Sequence, residues 1–107
     1  MKGFSGSMSE LIRQANQMQT KMKKVQEELA KQTFEGSSGG GAIKVTVTGE
    51  YLVKSVTIDP EFLKTPDTEM LQDMILTAVN EAIKNAKETS QKEMQKITGG
   101  LAIPGLI

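Results

Sequence analysis

"GSSGGGAIKVTVTGEYLVKSVTIDPE", residues 36–61, decides the fold. Ile43, Val45 and Val47 alternate with Lys44, Thr46 and Thr48, the period-two pattern of a half-buried strand. A turn at Gly49 and Glu50 follows. Beyond it Leu52, Val56 and Ile58 share one face of a second strand, Val53, Ser55 and Thr57 take the other, and Asp59-Pro60 ends it. Upstream, Thr33 to Glu35 reads as a short strand centred on Phe34. The sheet is therefore an antiparallel hairpin or a three-stranded meander.

The glycines ahead of the hairpin pose a chemical question. Gly36 and Gly41 have the separation found in a phosphate-binding loop, whose pattern is G-x-x-x-x-G-K-[ST]. Ala42 and Ile43 stand where the lysine and hydroxyl are required, and a strand follows where a helix N-terminus should. Gly36, Gly39, Gly40 and Gly41 are better explained as a mobile turn between strands, where glycine tolerates positive φ at little cost.

Long helices flank the sheet segment. Ser7 and Glu10 have capping-box spacing, which predicts a helix start at Ser7. From there Met8, Leu11, Ala15, Met18, Met22, Val25 and Leu29 recur at alternating spacings of three and four, a coiled-coil seam. From Met8 to Lys31 such a helix is about 36 Å long, whereas a compact chain of this size has a radius of gyration near about 13 Å. The helix must overhang its own core, and its seam needs a partner: a second copy, or the other long helix.

That other helix runs from about Pro66 to Ile97, with Thr65 as N-cap, Pro66 at the first helical position, and Asp67 and Glu69 in the first turn. Leu71, Met74, Ile75, Ala78, Val79, Ala82, Ile83 and Ala86 make its apolar face, which thins to Ser90, Met94 and Ile97 as an exposed arm. Gly99-Gly100 ends it, and "LAIPGLI", residues 101–107, is expected to fray. Residues 1–107 read as one α+β domain of helix, two or three antiparallel strands and helix, with flexible ends at about 1–7 and 99–107.

Composition narrows the chemistry. The 107 residues contain no cysteine and no histidine, which removes thiolate metal sites, disulfides and the commonest general base. The single tyrosine, Tyr51, builds no catalytic constellation, and Asp59, Glu61, Asp67, Glu69 and Asp73 suit turns and helix starts better than a metal cluster. An enzyme, a cofactor, a metal and a small-molecule substrate are all unexpected. No apolar run approaches the roughly 20 residues of a membrane span. A cytoplasmic protein without a membrane partner is expected.

Formal net charge is zero, but it is segregated: +3 over residues 1–31, −5 over 32–83 and +2 over 84–107. Arg13, Lys23, Lys24 and Lys31 lie opposite the seam and Lys21 borders it, while Lys84, Lys87, Lys92 and Lys96 gather where the last helix's apolar face thins. Some of this charge serves helix stability, because Lys23 and Glu27, Lys24 and Glu28, and Glu27 and Lys31 are spaced as i,i+4 pairs. Doubled by dimerisation, the basic helices could hold duplex DNA by its phosphates with little sequence readout. No aromatic residue interleaves the lysines, so single-strand stacking is not expected. In the competing interpretation, the seam and the apolar C-terminal tail engage another protein while the charges serve solubility.

The segments "MSELIRQANQMQTKMKKVQEELAK", "GSSGGGAIKVTVTGEYLVKSVTIDPE" and "ITGGLAIPGL", in this order, resemble the YbaB/EbfC family over nearly the whole chain. The resemblance implies a bacterial nucleoid-associated protein, not an enzyme: a tweezers-shaped homodimer that binds DNA, alters its conformation and affects gene expression. The family has no crisp DNA-contact motif, so the DNA-binding candidates remain Arg13, Lys21, Lys23, Lys24, Lys84, Lys87, Lys92 and Lys96. Glu50-Tyr51-Leu52 departs from the small or basic residues more usual in this family's hairpin turn, which weakens the expectation of a DNA contact there.

Overall fold

The computed structural model describes residues 2–65 and 67–98. Helix α1 (Lys2–Lys31) leads into strand β1 (Thr33–Ser38), a 3₁₀ turn at Gly39–Gly41, β2 (Ile43–Thr48) and β3 (Val53–Ile58). A second 3₁₀ segment at Pro60–Lys64 then leads into helix α2 (Thr68–Thr98). The strands form one antiparallel sheet in the order β1-β2-β3. This is the three-stranded form of the expected α+β arrangement, with two long helices.

The core is the interface between α2 and the sheet. Ile43, Val45 and Val47 of β2 are fully buried, as the alternation predicts, and meet Ala78, Ala82 and Ala86, which recur every four residues along α2. Phe34, Leu71, Met74, Ile75, Val79 and Ile83 pack around them. The alanines bring the helix close to the sheet, and Gly36 permits the closest approach. A β-carbon there would collide with the Ala78 carbonyl oxygen and the Ala82 backbone nitrogen. Gly36 therefore belongs to β1 beneath the helix rather than to the turn. The turn itself is confined to Gly39, Gly40 and Gly41, which have φ values of 61°, 67° and 96° and let β1 reverse into β2. Two further bonds fasten α2 to β1. The Ser38 hydroxyl donates to the Met74 carbonyl at 2.6 Å and the Asn85 side-chain amide to the Glu35 carbonyl at 2.9 Å.

β3 departs from the expected alternation. Val47 pairs with Val53 and Thr46 with Ser55, leaving Lys54 as a bulge. The extra residue shifts the alternation by one, so Val53, rather than Leu52, joins Val56 and Ile58 on the side facing the core. Their partners across the ladder, Val47, Val45 and Ile43, are all buried. Helix α2 lies over β1 and β2 and leaves β3 largely uncovered, so Val53 and Val56 remain 49% and 44% exposed.

The helix boundaries also differ from the sequence expectation. α1 already runs through Ser7 from Lys2, and the Glu10 carboxylate, instead of closing a capping box, accepts from the Arg13 guanidinium at 2.6 Å. Asp67, not Thr65, caps α2, with its Oδ1 accepting from the Met70 amide at 3.1 Å and its carbonyl from the Leu71 amide at 2.9 Å. Pro66, Gly99, Gly100 and the tail from Leu101 to Ile107 lie outside the described residues.

The overhang is large. The radius of gyration is 20.9 Å and the principal extents are 78 × 24 × 16 Å. Where α1 joins the sheet, the Gly49 amide donates to the Gln32 carbonyl at 3.1 Å, while Ile97 near the end of α2 borders the same surface groove as Met18. The helices thus run antiparallel away from the sheet, and α1 continues past the end of α2. Leu29 is buried and Met18, Met22 and Val25 are half-buried, so the second half of the seam is satisfied within the chain. Met8, Leu11 and Ala15 remain exposed, Leu11 by 60%. Every residue from Met8 to Gln17 is exposed, which makes this part of α1 a single helix without packing partners among the described residues.

Candidate nucleic-acid interface

Helix α1 presents its cations in two ways. Lys21, Lys23 and Lys24 are exposed, and among the described residues no carboxylate stands within 4.0 Å of them. The anticipated pairs Lys23–Glu27, Lys24–Glu28 and Glu27–Lys31 are not formed. Arg13 is engaged by Glu10, yet its side chain keeps 65% of its exposure, and an ion pair so open to water holds it weakly. Arg13 stands on the unpacked half of α1, whereas Lys21, Lys23 and Lys24 are exposed on the half whose seam, Met18, Met22, Val25 and Leu29, is covered within the chain.

The basic residues of α2 do not form one face. At 3.6 residues per turn, the nine-residue separation of Lys87 and Lys96 makes about two and a half turns, which places the two on opposite sides of the helix. Lys84 faces away from the alanine stripe and lies 4.0 Å from Glu88. Lys96 pairs with Glu93 at 3.0 Å, and Lys92, one turn earlier, is exposed and unpaired among the described residues. A single straight duplex laid against α2 can touch Lys92 and Lys96 together or Lys84 and Lys87 together.

Lys87 has a contact that sequence spacing does not disclose: its Nζ lies 5.7 Å from the centroid of the Tyr51 ring. Tyr51 sits in the β2–β3 turn with φ of 66°, and among the described residues it is the one non-glycine with positive φ. The turn holds it there. The Tyr51 amide donates to the Thr48 carbonyl at 2.9 Å, and the Thr48 hydroxyl oxygen accepts from the amides of Glu50 and Leu52 at 3.2 and 3.3 Å. The unusual turn residue therefore meets a lysine of α2, a contact across 36 positions with no local signal in the sequence. Among the described residues no three or more acids gather to hold a metal ion. The surface grooves, such as the one lined by Arg13, Asn16, Gln17, Thr20 and Lys21, are open and shallow.

Fold and site together define a small α+β protein that displays cations on helices projecting from a two-layer body. Residues 4–101 match the model of the YbaB/EbfC DNA-binding family, and the chain belongs to that family. It is 52% identical over 105 residues to a nucleoid-associated protein of Acetivibrio thermocellus, covering 97% of this chain and 93% of that protein. A nucleoid-associated protein of Ruminiclostridium cellulolyticum is 50% identical over 105 residues, with 97% and 91% covered. Among solved structures, an uncharacterized protein, HP0035, from Helicobacter pylori shares the fold with a TM-score of 0.71, at 23% identity and over 85% of this chain and 96% of that one. The family is one of DNA-binding proteins rather than enzymes.

Proposed function

We propose that this protein binds duplex DNA as a homodimer in the nucleoid of a bacterial cytoplasm. It holds the phosphates through its basic helices with low sequence specificity, and alters the path of the DNA. The observation that carries this is the placement of Lys21, Lys23 and Lys24, exposed and without carboxylate partners, on a helix that projects from the body. Free cations on a protruding rod favour a polyanion with regularly spaced charges, because binding releases the counterions condensed on it.

Two uncovered apolar surfaces support the homodimer. Val53 and Val56 on β3 lie where α2 does not reach, and Met8 and Leu11 continue a seam that is filled farther along the same helix. A second copy covers such surfaces symmetrically, and two projecting basic arms then act on one duplex. The test is a titration of duplex DNA at several salt concentrations, with molar mass measured in parallel. A dimer whose affinity falls steeply with salt is expected. A monomer, or the absence of binding at low salt, refutes the corresponding half of the proposal.

A further inference from the structure

From Leu11 to Gln26 α1 carries Arg13, Lys21, Lys23 and Lys24 and no aspartate or glutamate, and between the cations stand Asn16 and Gln17. Arg13, Asn16, Gln17, Thr20 and Lys21 line one shallow surface groove on the helix. Among the described residues neither side-chain amide has a hydrogen-bond partner, whereas the Thr20 hydroxyl donates to the Asn16 carbonyl at 3.0 Å. Asn16 is a poor helix former in mid-helix, and its side chain neither caps nor bonds back to the backbone there. Helix stability does not account for it.

We infer that this part of α1 enters the major groove, where the amides of Asn16 and Gln17 read base edges and favour adenine. The inference rests on the DNA-binding function proposed above and adds a mode of recognition to it. An α-helix about 10–12 Å across fits a major groove about 12 Å wide. Arg13, Asn16 and Thr20 are exposed on the side of α1 opposite the seam, so among the described residues α2, which packs along the seam, does not obstruct entry there. At 3.6 residues per turn Arg13 and Lys24 share the face of Asn16 and Gln17, while Lys21 and Lys23 stand about 80° to either side of it, where they meet the phosphate backbones that border the groove. An asparagine or glutamine amide offers a donor and an acceptor together, the complement of adenine N7 and N6 in the major groove, and the methyl of Thr20 suits the thymine methyl beside them. Lysines alone hold the duplex without distinguishing one base pair from another.

The test uses the full chain and an A·T-rich duplex selected from a random pool, prepared with adenine or with 7-deazaadenine, which lacks the N7 acceptor but keeps Watson–Crick pairing and the minor groove. The deaza duplex is expected to bind the unaltered protein at least about fivefold more weakly, in line with the loss of one bidentate base contact. Asn16→Ala with Gln17→Ala should abolish that difference and leave the salt dependence unchanged, because no cation is removed. Equal affinity of the unaltered protein for the two duplexes overturns the inference whether or not the variant folds, as does a variant that still discriminates between them. Binding by the unaltered protein that does not discriminate refutes the groove readout alone, whereas its failure to bind either duplex at low salt refutes the DNA-binding proposal itself.

Discussion

Replacing Lys23 and Lys24 together by alanine tests the phosphate contacts proposed for α1. Both side chains are exposed and neither has a carboxylate within 4.0 Å among the described residues, so the change breaks no ion pair. Alanine favours helix at least as well as lysine, which keeps the fold intact. Each phosphate contact adds about 0.9 to the slope of log affinity against log salt, so losing two contacts per protomer, four in a homodimer, flattens the slope by about 3.6. A fourfold rise in salt then weakens the variant about 150-fold less than the unaltered protein. Fluorescence anisotropy with a labelled duplex at four or five salt concentrations measures both slopes. If the two agree within about half of one contact's share, the first helix does not hold phosphates and the assignment is wrong. Lys96→Ala serves as the contrast. That lysine pairs with Glu93 at 3.0 Å but its side chain keeps 73% of its exposure, so the pair holds it weakly, and its removal, one contact per protomer, flattens the slope by about 1.8 at most.

Gly36→Ala drives a methyl group into the backbone of α2 at Ala78 and Ala82 and should destabilise the protein by about 1–3 kcal/mol or more, read from the midpoint of urea unfolding. A change below about 0.5 kcal/mol would show that α2 has room to shift. Asp67→Ala removes the acceptor for the Met70 amide and should cost about 1 kcal/mol in the same assay, whereas Thr65→Ala should cost little. Val53→Asp with Val56→Asp places charge on the uncovered strip of β3 and should halve the molar mass in light scattering. A mass left unchanged, with folding intact by circular dichroism, would move the dimer contact elsewhere.

Features set by local periodicity were legible in the sequence. The seam of α1, the alternation through Ile43, Val45 and Val47, and the apolar face of α2 all follow from which side chains fall on one side of an element. Features set by the approach of distant segments were not. Gly36 looks like the turn glycines that begin three residues beyond it, and only the passage of α2 overhead separates their roles. The Lys54 bulge reversed the facing of Val53, a one-residue shift that alternating sequence cannot reveal when Leu52 and Val53 are both apolar. β1 ran on through Gly36, Ser37 and Ser38 because pairing with β2 overrode their low strand preference.

The candidate site was legible to the same extent. Charge segregation found the basic helices and placed Arg13, Lys23 and Lys24 opposite the seam. The lysines of α2 looked like one cluster along the chain but lie on different sides of the helix. The contact between Tyr51 and Lys87 depends on the turn bringing the ring against α2, and the neutral amides of Asn16 and Gln17 leave no mark on a count of charges.

The contact between Gly36 and the Ala78–Ala82 backbone acts as the bearing of a lever. The helix rests there on main-chain atoms, which cannot adopt another rotamer, so its direction is fixed more tightly than side-chain packing alone would fix it. From Ala82 to Thr98 α2 runs about 24 Å, so a tilt of about 5° at the bearing displaces its tip by about 2 Å. That displacement is comparable to a large fraction of a hydrogen-bond length, enough to move Lys92 and Lys96 out of register with the phosphates they would meet. Substitutions beneath the helix, far from any DNA, should therefore change the spacing of backbone charges that the arms accept.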